Sequence, residues 1–191
     1  MKSTTFNVLL LGLLLATFSP AQGLQGKDIQ DNIAALRAVD LRAKGHAEAI
    51  VAWRELSQLP ASQLTTVLAG MDGASDLSVN WFRAAADTIA QRLVREGKPL
   101  PVKALEEFIA DTSHHPRARR TAYELISQVD PKAHDRIIPG LLNDPSLELR
   151  RDAVAYAIAL SAKLSDSRSA IASYQIALNS ARDLDQIEAV T

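Results

Sequence analysis

The sequence predicts an all-α protein in which antiparallel helical hairpins stack along one axis. Three observations lead to this prediction. Aromatic residues make up only 5% of the 191 residues, while alanine and leucine are plentiful, and this composition favours helices over a β-sandwich. Apolar residues recur every three or four positions, without a sustained alternation of β-branched residues. A helix-turn-helix pattern then repeats at a spacing of 31 residues.

The composition is that of one ordinary globular domain. Hydrophobic residues make up 47% of the chain and charged residues 23%, and 191 residues can bury a sizeable core. The formal net charge of −1 argues against nucleic-acid binding, which requires a basic surface to neutralise phosphates. The chain has no cysteine, which excludes disulfides, thiolate metal sites and a cysteine nucleophile.

The N-terminus carries the features of a secretory signal peptide. Lys2 precedes an apolar run of 11 residues at positions 8–18. A transmembrane helix needs about 20 apolar residues, so this run is too short to span a bilayer. Small residues precede a cleavage position after Ala21, with Gly23 as a second candidate. We predict a signal peptide over residues 1–21 and export to the periplasm or the extracellular space. An uncleaved anchor and a buried helix are the alternatives.

The helical-repeat domain is predicted over residues 25–191, and it opens with two helices. The first, over 25–44, ends at Gly45, which can adopt the left-handed conformation of a C-cap. The second runs over 46–59 and ends before Pro60. Their expected inward residues are Ile29, Ile33, Leu36, either Val39 or Asp40, Ile50, Trp53, Leu56 and Leu59.

The next helices are separated by turn-forming residues. Helices are predicted over 61–70 and 77–95, and the second of these is the longest amphipathic segment of the chain. Pro101 opens the following helix and Pro116 the one after it, because proline is well tolerated in the first helical turn. The expected inward residues are Leu64, Val67, Leu68, Phe82, Ala85, Ala86, Ile89, Leu93, Leu105, Phe108, Ile109, Ala118, Ala122, Leu125, Ile126 and Val129.

A hairpin over residues 137–158 has the clearest pattern. Pro139 should kink its first helix, because proline lacks an amide proton and crowds the preceding turn. Asp144 and Pro145 turn the chain, and Ser146 then caps the second helix. The expected inward residues of that second helix are Leu149, Ala153, Val154, Ala157 and Ile158.

Parts of the chain superpose on one another. Arg119 matches Arg150 at an offset of 31 residues, and Ala122 matches Ala153 at the same offset. Residues 68–89 form a weaker copy of the same pattern. A period in this range is typical of helical solenoids, in which each hairpin buries its apolar face against its neighbours.

Several residues of these copies resemble the HEAT repeat. They are Asp111, Pro116, Arg119, Pro139, Asp144, Pro145, Leu149, Arg150 and Ala153. The resemblance covers residues 61–158 and implies a right-handed α-solenoid of antiparallel helical hairpins. It also implies a ladder between neighbouring repeats, in which turn aspartates pair with second-helix arginines. The resemblance implies this role for Asp144 and Arg150, and also for Asp111 and Arg119.

Two helices are predicted after the HEAT-like part, over residues 167–181 and 184–191. The first resembles the second helix of a tetratricopeptide repeat at Ala170, Tyr174 and Ala177. Its expected inward residues are Ala170, Ile171, Tyr174 and Leu178. The final helix lacks a glycine cap, a basic last turn and a polar outer face. We therefore expect the natural domain to continue beyond residue 191.

No residue pattern indicates a catalytic, cofactor or metal site. His114 and His115 lie in a predicted turn near Asp111 and could supply two or three metal ligands. Adjacent turn residues point in different directions and no His-x3-His pair occurs, so we favour solvated histidines at this turn. His134 is expected to be exposed, and His46 has no companion in sequence. We predict no catalytic residue, no cofactor-binding residue and no metal ligand.

The basic patch of the sequence is the cluster of Arg117, Arg119 and Arg120. These arginines could bind an anion at the N-terminus of their helix. We favour instead their pairing with Asp111 and with acidic residues of neighbouring repeats.

The sequence predicts an exported, non-catalytic scaffold that mediates protein–protein interaction, because stacked hairpins offer an extended surface without a pocket. Trp81 lies beside the inward Phe82 and is the best candidate for a partner contact. The alternative is an accessory helical segment of a larger secreted enzyme whose catalytic domain lies outside this chain. A HEAT-like enzyme such as the alkylpurine glycosylases is disfavoured by the export signal and the lack of a basic groove. We expect no nucleic acid, no small-molecule substrate and no membrane attachment after signal cleavage.

Overall fold

The computed structural model describes residues 26–40, 42 and 44–190, and this part of the chain forms helices and turns without a β-strand. The all-α prediction is therefore confirmed for the described residues. In chain order the α-helices are α1 (Gly26–Arg37), α2 (His46–Leu56), α3 (Leu64–Ala69), α4 (Asp76–Arg95), α5 (Val102–Ala110), α6 (Pro116–Val129), α7 (Ala133–Ile137), α8 (Leu147–Ser161), α9 (Ser167–Ser180) and α10 (Leu184–Glu188). Two 3₁₀ helices accompany them, Ala61–Gln63 before α3 and Ile138–Leu141 after α7.

The N-terminal segment predicted to be a signal peptide, residues 1–21, lies outside the described residues. None of the described helices combines the length and the apolar character that crossing a membrane requires.

Sequential helices pack as hairpins, and neighbouring hairpins contact each other. Helix α1 packs on α2, α3 on α4, α5 on α6, and α8 on the 3₁₀ helix Ile138–Leu141. The second helices also form a row, since α2 contacts α4, α4 contacts α6 and α6 contacts α8. One hydrophobic core runs through these contacts from Ile29 to Ala153. A hairpin can bury its apolar face only against a neighbour, and the continuous core follows from that requirement.

Several helix boundaries lie where the sequence predicted them. Pro116 is the first residue of α6, and the Ser146 hydroxyl caps α8 by accepting the amide proton of Leu149 at 3.4 Å. The α-helix also stops next to Pro139, where a kink was expected. Helix α7 ends at Ile137, and the chain continues as the tighter 3₁₀ helix, in which proline needs no amide donor.

The first helix is shorter than predicted. Helix α1 ends at Arg37 instead of residue 44, and the Arg37 side chain donates to the backbone carbonyl oxygens of Gly70 and Asp72, each at 2.9 Å. The chain then turns so that Val39 enters the core. Gly45 does adopt the predicted left-handed conformation, with φ of 78°, but it directly precedes α2 and does not cap α1.

Three residues predicted to point inward face solvent instead. They are Ile50, Val129 and Ile171, and Ile171 is 69% exposed. In α2 the inward face is formed by Ala49 and Ala52. Alanine allows closer approach of neighbouring helices than isoleucine does, and the 3.6-residue period alone does not distinguish two adjacent apolar faces.

A buried ion pair joins two hairpins at the centre of the fold. Arg119 in α6 is 1% exposed, and its Nη1 and Nη2 donate to Oδ1 and Oδ2 of Asp144 at 2.8 and 2.5 Å. Its Nε donates to the backbone carbonyl oxygen of Ile109 at 2.7 Å. Oδ1 of Asp144 also accepts the amide proton of Ser146 at 2.8 Å. Both charges are therefore paired and hydrogen-bonded, as burial requires.

The ladder implied by the HEAT resemblance has different partners in the structure. Arg150 donates to the backbone carbonyl oxygen of Asp144 at 2.9 Å, whereas the Asp144 carboxylate binds Arg119 of the preceding hairpin. Asp111 makes its close hydrogen bonds to Ser113 instead of Arg119, accepting the hydroxyl and amide protons at 2.6 and 2.9 Å. An aspartate–arginine pair does link two hairpins, and it joins Asp144 to Arg119, two of the four residues named for this role. The expectation that the Asp144 side chain reaches Arg150 was wrong.

Replacing Asp144 by alanine should destabilise the protein far more than replacing Asp135. The Asp144→Ala variant leaves the Arg119 charge buried without a partner, which typically costs about 3–5 kcal/mol. Asp135 is exposed, and loss of an exposed side chain costs about 0.5 kcal/mol or less. Chemical denaturation of both variants measures the difference. An Arg119→Met/Asp144→Leu double variant should lose less stability than Asp144→Ala, and equal midpoints for Asp144→Ala and Asp135→Ala would contradict the buried pair.

Gly70 and Gly140 should respond in opposite ways to alanine. A Cβ at Gly70 would lie 2.4 Å from Cε1 of Phe82 and 2.8 Å from the Val67 carbonyl oxygen. Overpacking of this kind typically costs about 1–3 kcal/mol. A Cβ at Gly140 has no heavy atom within 4 Å, so Gly140→Ala should be close to neutral. Thermal melts of the two variants test this packing, and equal melting temperatures would show that Phe82 is placed incorrectly.

Candidate functional site

Two clefts open on either side of α5, between the first helices of neighbouring hairpins. The first cleft, of about 400 Å³, lies between α3 and α5. The second cleft, of about 470 Å³, lies between α5 and the 3₁₀ helix after α7. Small residues leave this space: Ala69 and Ala104 line the first cleft, and Ala110 and Gly140 line the second. Together the two clefts are the candidate functional site.

The first cleft has an acidic wall. Glu107 lies in α5 and Asp111 is the first residue after that helix, and both face Thr65 and Thr66 of α3. No lysine or arginine is among the described residues that line the cleft. Hydrogen bonds from the hydroxyl and amide groups of Ser113 lower the pKa of Asp111. Its carboxylate therefore stays charged to lower pH than an ordinary aspartate, and the cleft favours a cationic group.

His114 closes one end of the first cleft and is held on three sides. Its ring stacks on Phe108 with the ring centroids 3.9 Å apart. Its Nδ1 lies 2.8 Å from Oδ2 of Asp72, and its Nε2 lies 3.8 Å from Oδ2 of Asp111. Oδ1 of Asp72 accepts the amide proton of His115 at 2.7 Å. The prediction of solvated histidines is therefore wrong, because the aspartate of the α3–α4 turn reaches across and fixes the α5–α6 turn.

The second cleft has apolar walls beside a charged floor. Its floor is the buried pair of Arg119 and Asp144. On its rim, Nε of Arg136 donates to Glu106 at 2.9 Å and Nη1 donates to Asp130 at 2.7 Å. The hydrogen bond from Arg136 lowers the pKa of Asp130. Both arginines are already paired, and most of the remaining lining is apolar. It consists of Ile109, Ala110, Ile137, Gly140, Leu141 and Pro145, with the polar residues Thr112 and Asn143.

The histidines are dispersed over the described part of the chain. His115 accepts a backbone amide proton through Nδ1 and caps α6. His134 is exposed as predicted, and its Nδ1 lies 2.9 Å from the Tyr123 hydroxyl. The ring of His46 meets Trp81 edge-on, with centroids 6.1 Å apart. Within the described ranges, no group of three or more histidine, cysteine, aspartate or glutamate side chains is placed to hold a metal ion.

The predicted basic cluster at residues 117–120 is divided among separate ion pairs. Arg119 points into the core, whereas Nε of Arg120 lies 3.0 Å from Glu124 and its Nη1 pairs with Asp152 of α8. The structure thus favours the expected pairing with acidic residues over the anion-binding alternative.

The sequence pattern did not indicate Asp72 or Gly140, and the expected partner contact lies outside the two clefts. Trp81, the expected partner contact, is half-buried against the core. Asp72 was not singled out, although it lies in the turn of the weaker repeat copy, the place that Asp111 and Asp144 hold in the next hairpins. Gly140 carried no sequence signal, because its role depends on open space beside it.

Zinc or calcium should leave the melting temperature unchanged, because the acidic and histidine side chains of the first cleft are bonded to each other and to the backbone. A metal present at 100 times its dissociation constant would add about 2.7 kcal/mol of stability, which a thermal melt detects readily. A clear upward shift that the His114→Ala variant abolishes would contradict this expectation.

Comparison of the chain with protein-family models, with curated proteins and with solved structures finds no match. The contacts, charges and shapes described above are therefore the basis on which a function is proposed.

Proposed function

We propose that this chain is an exported, non-catalytic scaffold that binds a protein partner through the two clefts beside α5. The observation that carries the proposal is the contrast between these neighbouring clefts, one acidic and one apolar. Two adjacent clefts of different chemistry suit an extended polypeptide, whose successive side chains can be matched separately. A small ligand of one chemical character would match only one of the two clefts.

The proposed architecture is a right-handed α-solenoid of HEAT-like hairpins. It is supported by the contacts between successive hairpins and by the row of second helices α2, α4, α6 and α8. The pair between Arg119 and Asp144 supports it further, since it links a second-helix arginine to a turn aspartate of the neighbouring hairpin, as the HEAT resemblance implies in general form.

The proposal of a non-catalytic role rests on how the polar groups are used. Within residues 44–190, no serine or threonine hydroxyl hydrogen-bonds to a histidine, although such a bond is the usual way of activating a hydroxyl nucleophile. His114 is instead stacked on Phe108 and bonded to Asp72, and this arrangement holds two turns together. Export is proposed from the apolar run at residues 8–18 and the small residues before Ala21.

We propose that the partner presents a basic side chain to the first cleft and a large apolar side chain to the second. A lysine or arginine in the first cleft would pair with Glu107 and Asp111, whose side chains are 70% and 54% exposed. Their present charged neighbours, Lys103 and His114, each lie 3.8 Å away, so both carboxylates can take a closer partner. An apolar side chain in the second cleft would be removed from water against Ile109 and Leu141. Burial of apolar surface contributes about 25 cal/mol per Å², so this second contact supplies affinity while the charge pair supplies selectivity.

Selection of random peptides on the immobilised chain tests the proposal. The selected peptides should share a basic and an apolar residue at a fixed spacing. The Glu107→Lys/Asp111→Lys variant should bind those peptides at least about tenfold more weakly, because attraction in the first cleft becomes repulsion. Gly140→Leu should weaken them similarly by filling the second cleft, since its added side chain enters open space.

Gly140→Ala is the matched control for the second cleft, because it fills little of the space and should leave peptide binding nearly unchanged. Peptides that bind the wild-type chain and the charge-reversed variant equally well would contradict the assignment of the first cleft. Failure to enrich any peptide with both residue types would contradict the proposed site as a whole.

A further inference from the structure

Helix α9 differs from the other long helices in its lack of charge. Its 14 residues, Ser167–Ser180, include one charged side chain, that of Arg168. Helix α6 has the same length and carries four charged residues, Arg117, Arg119, Arg120 and Glu124. A solvent-facing helix is normally rich in charge, so a neutral outer face indicates a surface that another protein covers.

The outer face of α9 also exposes two large apolar side chains. Ile171 is 69% exposed and Ile176 is 57% exposed, and among the described residues of this helix only Ala177 and Ser180 are buried. At 100° per residue, the two isoleucines flank a stripe that runs along the middle of the outer face. The stripe consists of Arg168, Ala172, Gln175 and Asn179. Ile176 also lines a small cleft of about 160 Å³, together with Leu160.

We propose that α9 is the docking site for a second copy of this chain, with the two α9 helices antiparallel across a two-fold axis. In that arrangement Ala172 lies opposite Gln175 of the partner subunit, and the small alanine leaves room for the larger side chain. We call the contact between the two α9 helices the seam. On one flank of the seam Ile171 faces the same residue of the partner subunit, and on the other flank Ile176 does so. A two-fold contact requires a surface that is complementary to itself. A face with two exposed isoleucines and a single charged side chain, Arg168, meets that requirement with little like-charge repulsion.

The charges at the two ends of α9 favour the antiparallel direction. Asp166 lies at the N-terminal end of the helix and Arg182 follows its C-terminal end, and both are exposed. Hydrogen bonds from Ser169 lower the pKa of Asp166, so its carboxylate remains charged. Antiparallel pairing places Asp166 at the height of Arg182 of the partner subunit, since each residue advances the helix by the same rise. A parallel pair would instead set each of these charges against its own copy.

The occupant is a second copy and not a charged partner, because the seam offers a charged partner almost nothing to pair with. One helix pair buries less surface than a permanent dimer, so association should be in the micromolar range and should depend on concentration. The site lies on a different hairpin from the clefts beside α5, and its test is therefore independent of the proposed scaffold function.

Sedimentation equilibrium of the purified chain over a concentration series tests the proposal. The weight-average mass should rise from the monomer value towards twice that value. An Ile171→Glu/Ile176→Glu variant should dimerise at least about tenfold more weakly, because like charges meet across both flanks. The Ile171→Lys/Ile176→Lys variant should behave in the same way. Mixing these two variants should restore the dimer, since each glutamate then meets a lysine.

An Ile50→Glu/Val94→Glu variant is the matched control, because these residues are 46% and 51% exposed on other helices. Its dimerisation should equal that of the wild type. The single variant Arg182→Glu, outside the helix, should weaken the dimer more at low salt than at high salt. A monomeric mass at every concentration would overturn the proposal, as would a mixture of the glutamate and lysine variants that stays monomeric.

Discussion

The buried pair of Arg119 and Asp144 is the interaction on which the middle of this fold depends. An arginine with 1% exposure has lost nearly all of its hydration, so its position is acceptable only where a carboxylate and a carbonyl oxygen meet all sides of the guanidinium. That requirement fixes the turn before α8 against α6 to within hydrogen-bond distance. Apolar contacts between two hairpins could slide past each other, whereas a bidentate pair has one register. The same pair forms the floor of the second cleft, so the shape of that cleft is tied to the register of the hairpins.

Turn aspartates on one side of the molecule and surface ion pairs on the other hold the hairpins together. Asp72 reaches the α5–α6 turn through His114 and His115, and Asp144 reaches α6 through Arg119. On the second-helix side, α4, α6 and α8 are joined by pairs of exposed or half-exposed charges, Arg83 with Glu124 and Arg120 with Asp152. Exposed pairs contribute little stability, typically below about 1 kcal/mol each, and this side depends mainly on the packing beneath them. The clefts lie between the first helices, where small residues leave space. They are next to the turns that Asp72 and Asp144 hold in place.

Periodicity predicted the helices of this chain well, and it did not predict which charges would be buried. Pro116, Pro139 and Ser146 act locally, through a missing amide proton or a capping hydroxyl, so sequence was sufficient to place them. Ala49 faces the core in place of Ile50. This choice depends on the distance between α2 and its neighbouring helices, and a local sequence pattern does not contain that distance.

The burial of Arg119 and the capture of His114 by Asp72 depend on residues 25 and 42 positions away. The HEAT resemblance gave the residue types of the ladder, but the choice between neighbouring arginines required the three-dimensional register. The two clefts had no sequence signal of their own, because they consist of space left by alanine and glycine.

The two proposed surfaces have a joint consequence. No residue of α9 lines either of the two clefts, so a dimer formed through α9 does not use their lining. A partner that carries two copies of the recognised segment would then bind the second pair as an intramolecular step, with avidity up to about 10²–10⁴ above the single-site affinity. Weak individual clefts are sufficient for a scaffold of that design, provided that the linker between the segments spans the two-fold axis.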